Sequence, residues 1–299
     1  PRRIPISGWK PNVKPEVPKV LTFDAYNTLY ATTLPVMEQY CLVAKKYGIE
    51  ADPRQLTANF PLIFKALKEE HPNYGKYTNI TAQEWWSHLI TNVFRPMVTT
   101  KEMIDEILER FEGFEAYAVY PDLLELLEHI KENYPNVVLG IISNTDPVVY
   151  TLIKNLGLFQ YFKNHFYLSY DLEVKKPSKE IFQLAIEDIL KKNPGMLSDT
   201  TMQDFKRNCW HVGDEAENDM LAAKDAGWNG IVIDRDNKYG YLSESFEKID
   251  RDEDLLSVDK INHNFETTWK NSIIQMDTVQ LEERAFVISN YRVLKSFLF

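Results

Sequence analysis

The sequence predicts an α/β fold: a parallel sheet with helices on both faces, plus a helical cap inserted after the first strand. Three observations point there. From residue 121 onward, short apolar segments alternate with segments of helical spacing, the order that builds a parallel sheet with helical crossovers. Residues 31–120 instead read as helix after helix. Finally, three apolar strands each run into a polar residue: 20–23 into Asp24, 137–142 into Ser143, and 209–213 into Asp214. Ligands of open α/β sheets bind outside the carboxyl ends of the parallel strands. These three residues are therefore expected on one edge, although they are far apart in sequence.

Taken in order, residues 1–18 are proline-rich and read as an irregular arm. The core opens with 19–30, which holds the strand 20–23. In the cap, 31–120, Pro35 and Gly48 bracket a helix, since proline suits a first turn and glycine an end. Asp52-Pro53 opens a second helix that reaches about residue 70. Thr81 and Thr99 each have a glutamate three residues on, the capping-box spacing, before an apolar run. His71-Pro72-Asn73-Tyr74-Gly75 is a turn-rich link. The core resumes over 121–299, with a helix at 122–134 and a buried strand at 137–142. Asp146-Pro147 starts a helix that Gly157 ends, and a short strand follows at 166–168. Ser178 caps a helix to about Lys192; a strand at 210–212, a helix at 215–226 closed by Gly227, and a strand at 231–233 come next. Residues 239–284, acidic in their first half, read as an insertion or elaborated loop. A last strand at 285–289 and a helix at 291–299 close the chain.

Composition narrows the function classes. The 299 residues are 44% hydrophobic and 26% charged, an ordinary globular balance with room for a core and a smaller domain. A net charge of −10 argues against a nucleic-acid partner, which needs a basic face, while still allowing a local basic pocket. There is no apolar run of about 18 residues, so no membrane span is expected. Cys41 and Cys209 lack metal or disulfide spacing and read as buried free thiols in a reducing compartment. The N-terminal stretch shows no signal-peptide pattern. Residues 1–15 carry Arg2, Arg3, Lys10 and Lys14 and no acid, but Pro5, Pro11 and Pro15 interrupt an amphipathic helix. The expectation is an intracellular, cytoplasmic protein, with mitochondrial targeting as the alternative. Oligomeric state is left open.

Each polar strand end has two readings. Asp24 suits a nucleophile that accepts a phosphoryl or alkyl group, or a turn aspartate bonding nearby amides. Ser143-Asn144 could hold an anion's oxygens or simply form a strand-to-helix turn. Lys176, before Pro177, could set a point charge beside a phosphoryl group or lie in solvent; Lys175 is an equal candidate on composition. Asp214 and Asp219, with Asp24, could complete a hard-cation site, or be helix N-terminal acids favoured by the dipole. Glu215 and Glu217 read as the latter. Trp85 and Trp86 read as core or cap packing, with cap aromatics facing the substrate as the alternative, and His211 as a buried strand residue.

Jointly, and in this order, these residues resemble the four motifs of the haloacid dehalogenase superfamily: a strand ending in Asp, a strand ending in Ser or Thr, a Lys before a helix, and a strand ending in Gly-Asp with a further acid. The likeness covers 19–30 and about 121–236. His71 to Gly75 and Trp85-Trp86 further resemble the eukaryotic haloacid dehalogenase-like hydrolase domain-containing proteins. The resemblance implies a Rossmann-like core, a small phosphorylated metabolite as substrate, and Mg²⁺ held between Asp24, the Tyr26 carbonyl and Asp214. It makes Asp24 the nucleophile and Asp219 a direct or indirect partner of the metal. Thr28, Ser143 and Asn144 would hold the substrate's anionic oxygens, and Lys176 would neutralise Asp24 and the transferring group.

One position departs from the phosphatase pattern. Family phosphatases place a second aspartate, the general acid–base, two residues after the nucleophile. Here that residue is Tyr26, which ordinarily ionises only near pH 10. The stretch Asp24-Ala25-Tyr26-Asn27-Thr28 instead resembles the motif of the 2-haloacid dehalogenases, which form an alkyl-aspartate and need no metal. Gly213-Asp214 is phosphatase-like, and only Arg54 and Arg95 stand as candidates for a halide pocket. Three readings follow: a Mg²⁺-dependent phosphatase, a dehalogenase-like hydrolase, and a weak or inactive member that binds a ligand or partner.

Overall fold

The computed structural model describes residues 1–246 and 248–299. Among them are β1 (Arg2–Pro5), β2 (Val20–Phe23), β3 (Ala31–Thr32), β4 (Tyr117–Ala118), β5 (Val138–Ser143), β6 (Phe166–Leu168), β7 (Cys209–Gly213), β8 (Asn229–Ile233), β9 (Asp277–Glu282) and β10 (Ala285–Ile288). Eight of these form one sheet in the order β1-β9-β10-β8-β7-β2-β5-β6. The six strands from β10 to β6 are parallel to their neighbours; β9 and β1 add an antiparallel edge. β2 lies between β5 and β7, in register Val20–Val138 and Val20–Cys209. That register puts Asp24, Ser143 and Asp214 at the same end of three adjacent strands.

The sheet is apolar on both faces, as a parallel sheet covered by helices must be. Leu21, Phe23, Leu139, Ile141, Trp210 and Val212 pack with the helices Pro121–Asn133 and Tyr291–Leu298. Val20, Val138, Ile142 and Cys209 pack on the other side with Phe182, Ile186 and Trp228. The cap has its own apolar cluster, built from Val36–Lys46, Pro53–Glu70, Ala82–Phe94 and Lys101–Arg110. The chain leaves the core through β3 and returns through β4, which pair antiparallel and fix the two crossings side by side.

Local chemistry accounts for the element ends. Pro53 occupies the first turn behind the Asp52 cap, whose carboxylate accepts from Arg54 N. Thr81 and Glu84 form the reciprocal capping box. The next helix is shifted by one residue from its expected start: Thr100, not Thr99, caps Lys101–Arg110 and accepts from Met103 N.

Four further expectations are corrected. The N-terminal arm is not irregular throughout, because β1 extends the sheet edge along β9. Cys209 is buried but Cys41 is only half-buried. The helix after β7 does not begin as an α-helix: Ala216–Leu221 winds as a π-helix before Ala222–Asp225. Of the two readings of residues 239–284, the plain loop fails and the insertion stands open, since the segment contains the helices Glu253–Ile261 and Phe265–Ser272 and the strand β9. Their modest periodicity concealed this; both helices lie mostly at the surface with few buried residues.

The π-helix has a steric setting. A Cβ at Gly213 would overlap the Asp219 carboxyl, and one at Gly230 would overlap the Met220 carbonyl. The widened turn therefore lies directly on β7 and β8, at two positions with no side chain. π-turns inside helices occur frequently at functional sites.

Candidate active site

Asp24 follows β2 with its amide donating to the Val212 carbonyl at 2.8 Å, so the ladder continues one residue and holds it against β7. The chain then turns through Asn27, which takes a left-handed φ of 58°. Lys176 is 2% exposed, and its ammonium donates to Asp24 Oδ1 (2.9 Å), Asp219 Oδ1 (2.5 Å) and the Ile142 carbonyl (2.9 Å). Burial alone would lower the Lys176 pKa; Asp219 and Asp24 outweigh it, so the group stays charged. Lys175 is exposed, which separates two lysines that composition could not.

Asp219 is fully bonded. Its Oδ1 accepts from Lys176 and from His211 Nε2 at 2.9 Å, and its Oδ2 accepts from Glu215 N at 3.0 Å. Burial pushes its carboxyl up, but Lys176 and the His211 bond prevail and hold it below the usual range. Burial keeps His211 neutral. Since a carboxylate only accepts, Nε2–H donates to Asp219, and Nδ1 accepts the Thr22 hydroxyl at 2.8 Å. His211 is thus a buried strand residue, as expected, and it also orients Asp219.

Asp214 differs. Its Oδ1 is buried with no hydrogen-bond partner among the described residues. Burial raises its carboxyl pKa, and nearby Lys260 opposes that shift. Oxygens of Asp24, Asp214 and Asp219 all lie within 4.8 Å of one another. An all-oxygen donor set containing an orphaned carboxylate oxygen fits a hard divalent cation such as Mg²⁺.

The remaining predicted residues fall in three ways. Ser143 is buried at the end of β5. Thr28 is buried, and its hydroxyl has no partner among the described residues. Asn144 is diverted: its amide clamps the Lys176 backbone, donating to the carbonyl at 2.9 Å and accepting from the N–H at 2.8 Å. It positions the lysine rather than offering both groups to an anion. Tyr26 turns away from proton transfer, because its hydroxyl donates to the Lys260 carbonyl at 2.5 Å and burial raises its pKa. Its ring lies against Tyr30 and Tyr117.

Lys260 is the residue the sequence did not reveal. It projects from the helix Glu253–Ile261, pairs with Glu215, and stands 3.8 Å from Asp214 Oδ1. Glu215 is consequently an internal partner rather than a solvated helix-end acid. No spacing links residue 260 to the strand ends, so only tertiary packing could find it. The cap also reaches the core edge. Trp86 Nε1 donates to Asp146 Oδ2 at 2.8 Å and the Tyr74 hydroxyl to the Asn144 carbonyl at 3.2 Å, whereas Trp85 is buried within the cap. Arg54 and Arg95 are both exposed.

A family model for haloacid dehalogenase-like hydrolases matches residues 18–227. An uncharacterised protein of Saccharomyces cerevisiae is 54% identical over 99% of this chain and 98% of its own length. The haloacid dehalogenase-like hydrolase domain-containing protein 3 of Danio rerio is 26% identical, over 71% of this chain and 84% of its own. Among solved structures, the L-2-haloacid dehalogenase from Xanthobacter autotrophicus has a similar fold: TM-score 0.53, 15% identity, 93% of this chain and 96% of that one. No helix among the described residues is long and apolar enough to cross a membrane.

Proposed function

The chain belongs to the haloacid dehalogenase-like hydrolases, and from that premise we propose a Mg²⁺-dependent phosphatase of a small phosphorylated metabolite, acting through an aspartyl-phosphate on Asp24. The carrying observation is the cluster of Asp24, Asp214 and Asp219 around Lys176, with one carboxylate oxygen of Asp214 buried and unbonded. Asp24, the Tyr26 carbonyl and Asp214 would hold the cation, and Asp219 would act indirectly, through Lys176. When bound, Mg²⁺ would supply a Lewis acid that lets a phosphate approach the carboxylates.

The chain's own residues do the rest. Lys176 anchors one Asp24 oxygen and leaves the other to attack phosphorus. The ester P–O bond breaks as the Asp24–O–P bond forms, and water then hydrolyses the acyl phosphate. Ser143 and Thr28 offer hydroxyls to the phosphoryl oxygens. Tyr26 has its proton committed to the Lys260 carbonyl, so the leaving oxygen draws its proton from water. The absence of a positioned acid–base implies turnover slower by about 10²–10⁴-fold than with one.

The dehalogenase-like reading draws on Tyr26 and the Asp24–Thr28 motif, but its halide-pocket candidates, Arg54 and Arg95, are both exposed. The test is hydrolysis of an aryl phosphate by wild type and Asp24→Asn, with Mg²⁺ and with chelator. Activity lost in both the variant and the chelated protein is expected. Hydrolysis that persists under chelation would overturn the reading, and halide release from 2-haloacids would replace it.

A further inference from the structure

The metal edge opens onto a cavity of about 50 Å³, roof and floor of which come from the segment following β8 and from the helix Glu253–Ile261. One water needs only about 10–15 Å³ measured in this way, so several heavy atoms fit. Asp214 lines one side; Lys238 and Lys260 line another. Apart from Asp214, the acids on its wall are already engaged. Asp234 accepts from the amides of Lys238 (2.7 Å) and Tyr239 (2.9 Å). Asp236 accepts the Thr268 hydroxyl at 2.9 Å, and Asp259 pairs with Arg251.

Lys238 is the exception. Its half-buried side chain makes no hydrogen bond or ion pair among the described residues, although burial lowers its pKa and Asp236, Asp214 and Asp234 oppose that shift. None of those carboxylates forms an ion pair with it, so its ammonium is free to meet an anionic ligand entering the cavity. Lys260 adds a second ammonium at the Asp214 end.

We propose that the substrate carries a second anionic group, a carboxylate or a further phosphate, which binds in this cavity against Lys238 and Lys260 while the scissile phosphate is at Asp24. This deepens the phosphatase reading and rests on it. It also gives the 239–284 segment a role in specificity, because that segment supplies Lys260 and closes the cavity.

The test compares three probes with one carbon skeleton: glycerol 1-phosphate, 3-phosphoglycerate and glycerol 1,3-bisphosphate. Binding is measured by calorimetry on Asp24→Asn protein with Mg²⁺, and kcat/KM on wild type. One charge-assisted contact predicts about tenfold tighter binding and a matching drop in KM for at least one of the doubly anionic probes. Preference for the carboxylate or for the bisphosphate identifies which anion the cavity takes. Lys238→Met is expected to bring the ratio to about one, and Lys238→Arg to retain it. Equal binding of all three probes, or a preference that survives Lys238→Met, overturns the inference. Absence of Asp24-dependent turnover overturns the phosphatase reading instead, and the binding ratio is read separately from it.

Discussion

Tyr26 concentrates the chemical question in one side chain. Its ring centroid is 6.2 Å from that of Tyr30 and 6.0 Å from that of Tyr117, and its hydroxyl is bound to a main-chain carbonyl. It therefore acts as a packing residue and a tie to the Glu253–Ile261 helix. Tyr26→Phe removes one hydrogen bond, so it should cost about 1 kcal/mol of stability and retain aryl phosphate turnover. A complete loss of turnover in this variant would restore Tyr26 to the proton-transfer step. Tyr26→Asp installs the family's acid–base but removes a packed ring and leaves the Lys260 carbonyl unbonded. It should destabilise by about 3 kcal/mol or more, measured by urea denaturation, and raise turnover per folded molecule.

At the scale of the element, the π-turn after β7 decides where the acids stand. Gly213 and Gly230 let it rest on the sheet. Gly230→Ala presses a methyl into the Met220 carbonyl, main chain that cannot rotate away, and should cost about 1–3 kcal/mol in urea denaturation. Gly213→Ala instead displaces the Asp219 carboxyl, the anchor of Lys176 and His211. The proposed cation site predicts that Mg²⁺ raises the Tm of the wild type and that this rise is lost in Gly213→Ala. An undiminished Mg²⁺ shift in that variant would mean that Asp219 can move without disturbing the cation site.

Across the whole molecule, the 239–284 segment adds a further tie between cap and core to those of Trp86 with Asp146 and Tyr74 with Asn144. Ile261 is buried in the cap cluster, Glu253 pairs with Lys68 of the cap, and Lys260 reaches the core edge. Ile261→Ala should destabilise by about 2–5 kcal/mol and increase amide exchange in the cap helices more than in the sheet. The next residue pair adds a pH dependence. Burial, reinforced by Lys238 and Arg235, lowers the His263 pKa to about 3, while its Nε2 lies 2.8 Å from the Tyr120 hydroxyl. An unfolded histidine titrates near pH 6.5. The folded state thus disfavours the proton, so its contribution is complete above about 6.5 and declines as pH falls toward 3. Urea midpoints of wild type should fall more steeply over that window than those of His263→Gln; parallel profiles would assign the acid sensitivity to carboxylates.

The sequence by itself determined the parallel sheet, the helical cap and the gathering of Asp24, Ser143 and Asp214. Those follow from local signals: apolar runs of strand length, caps such as Thr81, and polar residues at strand ends, where the sheet's polarity puts them together. Tertiary structure alone decided the rest. It chose Lys176 over Lys175, diverted Asn144 to the lysine backbone, tied Tyr26 to Lys260, and brought Lys260 and Lys238 to the edge at Asp214. Each of these depends on contacts between residues 30 to more than 200 positions apart in the chain, and no period, cap or spacing encodes a contact of that range.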